Sequence, residues 1–363
     1  MLKRLHLQNF TVFADAKFEF SDGLNVLVGA NGTGKTHVLK AGYGIVEGML
    51  SDYWSKGVGT WKKVRSDPHF QGAVDFKLKS LFQPVPFFSR ELIRRGRTEE
   101  GSEMVVEISL FEKSMSISTS LTSVRPSIPM VNSFDLLEII NHKDKFIISA
   151  FIPAKEVLTS GWLLPLYERR EIPIDETYPD LLRLLSGPPL RQPEPIHIVA
   201  KLVQLIGGRV EEEGSHFYLA SENHPRLEMN LVAEGMRKFA TLYKLLANGT
   251  LTPDTTLFWD EPEANLNPAL LKEMAVVLTE LAAAGFQVIL ATHSLFLMRE
   301  LHILAQQRKK PVRYFGLYAS EEGDVRVETT DDLLQLQHLV ALDAELKQTF
   351  DFEAALDEEY AGD

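Results

Sequence analysis

Apolar and polar positions alternate at the start of the chain. Leu2, Leu5 and Leu7 are apolar, with Lys3, Arg4, His6 and Gln8 between them. That rhythm predicts a half-buried strand over residues 2–9. Phe18 and Phe20, followed by Ser21-Asp22-Gly23, predict a second strand and a hairpin-like return. Residues 24–28 form a short, mostly apolar run ending at Gly29, the pattern of a strand buried on both faces. Residues 36–50 then read as a helix. In the middle, residues 105–110 and 146–152 read as strands, and residues 158–166, 178–185 and 196–206 as helices. Gly187-Pro188-Pro189, Pro193 and Pro195 interrupt the chain, and Gly207-Gly208 closes the last of these helices. Towards the end, residues 256–259 and 286–291 read as buried strands. Asn267-Pro268 opens a helix whose Leu271, Met274, Leu278 and Leu281 share one face; Gly285 stops it, and Ser294 caps the next. The leucines of residues 331–349 predict an amphipathic helix. Alternating strands and helices imply right-handed crossovers around a sheet with a parallel core, an α/β fold.

Composition narrows the field. The chain has 363 residues, 45% hydrophobic and 24% charged, as soluble globular chains do. No apolar run reaches the length of a membrane span, and the N-terminus lacks the apolar core of a secretory signal, so the expected location is the cytoplasm. The absence of cysteine excludes disulfides, thiolate metal sites and cysteine nucleophiles. The net charge of −12 is unevenly spread. Residues 331–363 carry ten acids against Lys347, while residues 54–97 carry ten bases against three acids. Each block reads either as solvated surface or, more pointedly, as a polyanion site and an acidic tail that competes for it.

Three motifs carry chemistry. Gly29-Ala30-Asn31-Gly32-Thr33-Gly34-Lys35-Thr36 matches the phosphate-loop pattern between a predicted strand and a predicted helix. Its glycines let the backbone curl N–H groups inward, Lys35 reaches the β- and γ-phosphates, and Thr36 ligates Mg²⁺. The second motif, residues 257–263, is a buried strand that delivers Asp260 and Glu261 at its end. Asp260 suits Mg²⁺, and Glu261 suits the polarisation of an attacking water. The third is Ala291-Thr292-His293-Ser294, where His293 ends another strand and is placed to bond the γ-phosphate or its water.

In this order and spacing the motifs resemble the ATP-binding-cassette class of P-loop ATPases, and within it the RecF/SMC/OLD-like branch. The resemblance rests on Leu5-His6-Leu7-Gln8-Asn9-Phe10, on residues 23–29, on Asp260-Glu261-Pro262-Glu263-Ala264-Asn265-Leu266-Asn267-Pro268, and on the His293 segment. It implies an ABC-type P-loop fold: a mixed sheet with a parallel core and antiparallel N-terminal strands, plus a helical lobe. It implies Mg-ATP sandwiched between two copies in a homodimer or higher homo-oligomer. Residues 231–238 stand where the class signature belongs, and Glu234 and Gly235 would face the partner's nucleotide. The usual signature serine is Ala233 here, so a hydroxyl donor is missing and slow turnover is implied. Q-loop candidates are Lys155 or Glu156, with Gln83 a weaker one.

The expected organisation is an N-terminal ATPase lobe over 1–155 with a basic insertion at 54–97, a helical lobe over 156–215, a C-terminal ATPase lobe over 216–330 and an acidic helix and tail over 331–363. The motif form is most similar to standalone ATPase subunits of Septu-like phage-defence modules, which implies a sensor or regulator working with a separate effector, a nuclease or toxin. A RecF-like DNA-repair ATPase is the alternative. The Asp-Glu-Pro-Glu form argues against a transporter subunit. Too few residues follow His293 for a TOPRIM nuclease, and Asn141-His142-Lys143-Asp144 is a near miss to a GTPase motif.

Overall fold

The computed structural model describes residues 1–56, 68–85, 89–94, 105–110, 120–121, 126–127, 149–169, 172–221, 225–321, 323–338 and 348. In chain order its elements are β1 (Leu2–Phe10), β2 (Phe13–Glu19), β3 (Leu24–Gly29), α1 (Lys35–Lys56), α2 (Pro68–Phe82), β4 (Val105–Leu110), the short pair β5 (Ser120–Leu121) and β6 (Pro126–Ser127), and β7 (Ser149–Ile152). Then come α3 (Leu163–Arg169), α4 (Thr177–Leu185), α5 (Ile196–Ile206), β8 (Arg209–Glu213), β9 (His216–Ala220), β10 (Leu227–Glu228) and α6 (Glu234–Ala247). The last are β11 (Thr256–Asp260), α7 (Pro268–Ala283), β12 (Gln287–Thr292), α8 (Leu295–Arg308), β13 (Val312–Ala319) and β14 (Val325–Thr330).

The main sheet runs β14-β13-β3-β12-β11-β7. Every neighbouring pair in it is parallel except β13–β14. The antiparallel N-terminal strands form a second sheet, β2-β1-β4. Side chains of the parallel strands alternate between two cores, as the two-residue period requires. Leu24, Val26, Val28, Leu257 and Trp259 face the helices α3 to α8. Leu27, Phe258, Ile289 and Phe315 face α1, α2 and the antiparallel sheet. Each such side chain, fully buried, contributes about 1.5–3 kcal/mol.

Gln287 joins the two sheets. Its amide oxygen accepts from Leu2 N and Thr256 Oγ1, both at 2.8 Å. Its amide nitrogen donates to the carbonyls of Leu2 and Ser21 at 2.7 and 2.9 Å. A buried amide so satisfied costs little and fixes one arrangement.

Several expectations need correction. Ser21-Asp22-Gly23 is not a hairpin return: it carries the chain out of the antiparallel sheet into β3, while β1 and β2 pair across a turn at Thr11–Val12. The helix expected from residue 158 starts at Leu163, because Thr159 turns back onto the Glu156 carboxylate and Ser160 N bonds the Val157 carbonyl. Residues 331–338 do not begin an amphipathic helix. They hold one 3₁₀ turn, Leu333–Gln335, closed by Gln335 N to Asp332 O and Leu336 N to Leu333 O, while Leu334 N goes to the Asp332 side chain and Gln337 N and His338 N to that of Glu328. Leu333 and Leu336 are nevertheless buried in the body. Residues 339–347 and 349–363 of the acidic tail lie outside the described residues, as do residues 141–144 and 146–148. The pattern reading missed β8, β9, β13 and β14. The boundary expected at 215/216 falls inside the β8–β9 hairpin, and α3 to α5 share one core with the sheet.

Candidate nucleotide site

β3 ends at Gly29, where φ is 153°. A Cβ there would fall on the carbonyl oxygen of Leu317, so the loop can leave β3 only as glycine. Gly34 has φ 87°, and a Cβ on it would meet Val12 and Phe13, which close the far side of the loop. Between them Thr33 Oγ1 donates to Ala30 O at 2.9 Å. Lys35 opens α1 and is buried; its ammonium donates to the carbonyls of Gly29 and Ala30 at 2.7 and 3.0 Å. Burial lowers the Lys35 pKa, against the pull of Asp260, Glu261 and Glu263. The loop therefore combines glycine curvature, a helix N-terminus and a cation without a directly bonded carboxylate.

β12 lies between β3 and β11, so three parallel strands end side by side at the carboxyl edge, where open α/β sheets bind ligands. Thr36 Oγ1 donates to Asp260 Oδ2 at 2.9 Å and joins the first motif to the second. Burial pushes the Asp260 carboxyl up to about 6, with the Thr36 hydrogen bond pulling against it. Glu261 follows with φ 47°, the left-handed region. Its N–H continues the ladder to Ala291 O at 2.9 Å, and its carboxylate is partly exposed. His293 Nδ1 lies 3.5 Å from an oxygen of Glu261 and 3.5 Å from one of Glu263. Glu263 is buried and accepts from Thr292 Oγ1 at 2.6 Å and from His293 N at 3.0 Å. Loop, Asp260, Glu261 and His293 are thus brought together as the spacing implied.

Glu234 and Gly235 stand apart from that group. They begin α6, whose N-cap, Ala233, offers no side-chain bond. Glu234 accepts from Asn265 Nδ2 at 2.8 Å, and a Cβ on Gly235 would sit 2.8 Å from Asn265 O. Both pack on the loop after β11 rather than on the phosphate loop. One turn on, Arg237 pairs with Glu156 at 2.6 Å, and the buried Lys238 donates to Glu261 O at 2.7 Å. Residues 153–156 follow β7, the neighbour of β11; there Lys155 is exposed and Glu156 is taken by Arg237 and Thr159. Gln83 donates to the carbonyls of Ser80 and Ile174.

Sequence reasoning missed Glu263 and Lys238 as site residues. Glu263 stood in the quoted Asp-Glu-Pro-Glu run, and its place after a buried strand was a usable signal. Lys238 had none, since a lysine within a helix reads as surface. The basic block holds the opposite surprise. Lys77 is buried and pairs with Asp180 at 2.6 Å and Glu176 at 3.3 Å, Lys79 pairs with Asp75, and Arg94 with Asp324. These three bases are taken by the chain's own acids. Lys62, Lys63, Arg65, Arg95 and Arg97 lie outside the described residues.

The donor set fits Mg-ATP. Thr36 and Asp260 are oxygen ligands of the kind Mg²⁺ takes. Among the described residues no group of three or more His, Asp or Glu could hold a metal ion by itself. No described helix is long and apolar enough to cross a membrane.

Among known proteins, residues 4–45 match a model described as "AAA domain". A 40-residue stretch is 48% identical to the DNA replication and repair protein RecF of Shewanella loihica, spanning 11% of this chain and 11% of that one. The SMC head domain of Thermotoga maritima superposes with TM-score 0.50 at 14% identity, over 91% of this chain and 98% of that one. An Smc head with coiled coil and joint from Pyrococcus yayanosii gives TM-score 0.54 at 11% identity, over 95% and 99%. At such identities the likeness is one of fold: an SMC-head-like P-loop α/β architecture with a mixed sheet. A further model, "AAA domain, putative AbiEii toxin, Type IV TA system", matches residues 77–299, well over half of the chain, and the protein belongs to that family of AAA-type P-loop ATPases.

Proposed function

We propose that this chain binds and slowly hydrolyses ATP as a dimerising switch, and that it is the sensor or regulatory subunit of a bacterial defence module with a separate effector, a nuclease or toxin. One observation carries the ATPase reading: Thr36 and Asp260 share a hydrogen bond at the strand ends, with Glu261 and His293 beside them. Residues 29–36 cradle the phosphates through backbone N–H groups, and Lys35 supplies the charge. Thr36 and Asp260 would hold Mg²⁺, which would draw charge from the phosphate oxygens. Glu261 accepts a hydrogen bond from the attacking water and begins to take its proton, while His293 bonds the γ-phosphate or that water. Glu234, exposed at the start of α6, and Gly235, buried beside it against the loop after β11, supply the other half of the sandwich to a second copy. The family description, with its toxin and type IV system, supports the defence role.

Phosphate release measures the chemistry. Glu261→Gln should bind ATP, slow hydrolysis about 10²–10⁴-fold and accumulate a dimer with ATP; wild-type turnover would sink the assignment. Phage plating on cells carrying this chain and its neighbouring gene tests the role. Protection should vanish with Lys35→Ala, and equal plating with and without the pair would sink the defence reading. The RecF-like stretch favours DNA repair as the second reading, and DNA binding that weakens steeply with salt would favour it in turn.

A further inference from the structure

Lys238 is 2% exposed, in the second turn of a helix that buries Phe239, Leu242 and Leu245 together with Thr241 and Lys244. A cation so placed costs free energy unless it is hydrogen-bonded. Its ammonium donates to Glu261 O at 2.7 Å and to Ala154 O at 3.2 Å. Those carbonyls follow β11 and β7, two neighbouring strands of the parallel core. Burial lowers the Lys238 pKa, and Glu263, Glu261, Glu234 and Asp260 pull it back up. Glu261 needs such support. A non-glycine residue in the left-handed region is strained by about 1 kcal/mol or more and persists where its surroundings fix it. Its N–H is held by β12 through Ala291 O, and its carbonyl is held by Ala264 N at 3.1 Å and by Lys238. The peptide that sets the direction of the Glu261 side chain is therefore pinned between a strand and α6.

We infer that Lys238 is a positioning residue for hydrolysis, fixing the left-handed peptide of Glu261 and thereby aiming its carboxylate. Because α6 starts at Glu234 and Gly235, the same bond makes that aim depend on where α6 lies. A second copy that engages the start of α6 thus reaches Glu261 through one ammonium. The inference rests on Glu261 as the group that orients the water.

The test is Lys238→Met, which keeps the stem and removes the donors. Lys244→Met is the control: it is a second buried lysine on α6, bonded to Gly187 O at 2.8 Å, away from the site. In the full chain, Lys238→Met should lower kcat about tenfold or more with ATP affinity by calorimetry within about threefold, and Lys238→Arg should recover most of kcat. Lys244→Met should lower Tm while leaving kcat within about twofold. Wild-type kcat in Lys238→Met overturns the inference, as does an equal loss in Lys244→Met, which would mark a loosened helix. If Lys238→Met does not fold, Lys238→Gln, one bond short of the carbonyls, is read in the same way. Glu261→Gln in the same assay separates the two ideas. Hydrolysis retained there sinks the role of Glu261. Hydrolysis lost there but intact in Lys238→Met sinks only the role of Lys238.

Discussion

Lys35 and Lys77 sit on adjacent helices and are about equally buried, 8% and 9% exposed, yet their surroundings are opposite. Lys35 donates to two carbonyls of its own loop, and burial lowers its pKa. Lys77 is also desolvated, but Asp180 and Glu176 beside it overcome that and raise its pKa. It belongs to a buried group in which Tyr43 also donates to Asp180, at 2.8 Å. A lysine bonded only to carbonyls keeps its charge available for an incoming anion. A lysine clasped by two carboxylates has spent it on the fold. Basic residues in a sequence therefore say little about polyanion binding until their partners are known.

The comparison can be broken most forcefully at Lys77. Lys77→Met leaves Asp180 and Glu176 buried with less compensation, so unfolding free energy should fall by about 3–5 kcal/mol in denaturant titrations, with ATP affinity unchanged in the folded fraction. A large loss of nucleotide binding instead would put Lys77 in the site. The second test reverses the sign. Asp260 holds its proton up to about pH 6 in the folded chain, against an ordinary value of 3.8. The folded state binds more protons between those values, so stability falls as pH rises through that window and the full cost stands above it. Asp260→Asn should therefore gain up to about 3 kcal/mol over the parent at pH 7, measured with chelator, and nothing near pH 3. A gain that does not change with pH would mean the carboxyl is not the cause.

Lys35→Ala should weaken ATP binding by about 2 kcal/mol, roughly thirtyfold by calorimetry, without lowering Tm. A fall in Tm comparable to that of Lys77→Met would erase the distinction between the two lysines. The smallest effect sets the baseline. Arg4 and Glu19 form an exposed pair at 3.0 Å, and Arg4→Ala should change stability by less than about 1 kcal/mol. A larger loss would show that counter-charge matters at the surface as well.

The candidate site's edge was legible because its motifs are local. Gly29 to Thr36, Asp260–Glu261 and His293 each end a strand whose apolar run marks it, so spacing along the chain became adjacency in space. Asn267 and Ser294 cap α7 and α8 as their residue types demanded, accepting from Leu270 N and Leu297 N. What escaped was set by distant partners. Lys238 and Lys77 read as surface cations, since nothing nearby in sequence announces Ala154, Glu261 or Asp180. β13 and β14 escaped as well, although β13 sits beside β3. Residues 331–338 misled for a related reason: their leucine spacing suited a helix, but a single 3₁₀ turn forms, and Asp332 and Glu328 draw off the N–H groups of Leu334, Gln337 and His338.

The position of β3 also has a consequence for how the protein is made. Its two neighbours, β12 and β13, begin at Gln287 and Val312, so the strand that carries the phosphate loop has no parallel partner until about 260 further residues have been synthesised. At 5–20 residues per second that is a wait of roughly ten seconds to a minute on the ribosome. During that time the nascent chain holds Leu24, Val26, Leu27 and Val28 without the strands that finally flank them. Ribosome-bound chains cut short before residue 287 should fail to retain ATP, and the nucleotide site should arise late and all at once as the last third emerges.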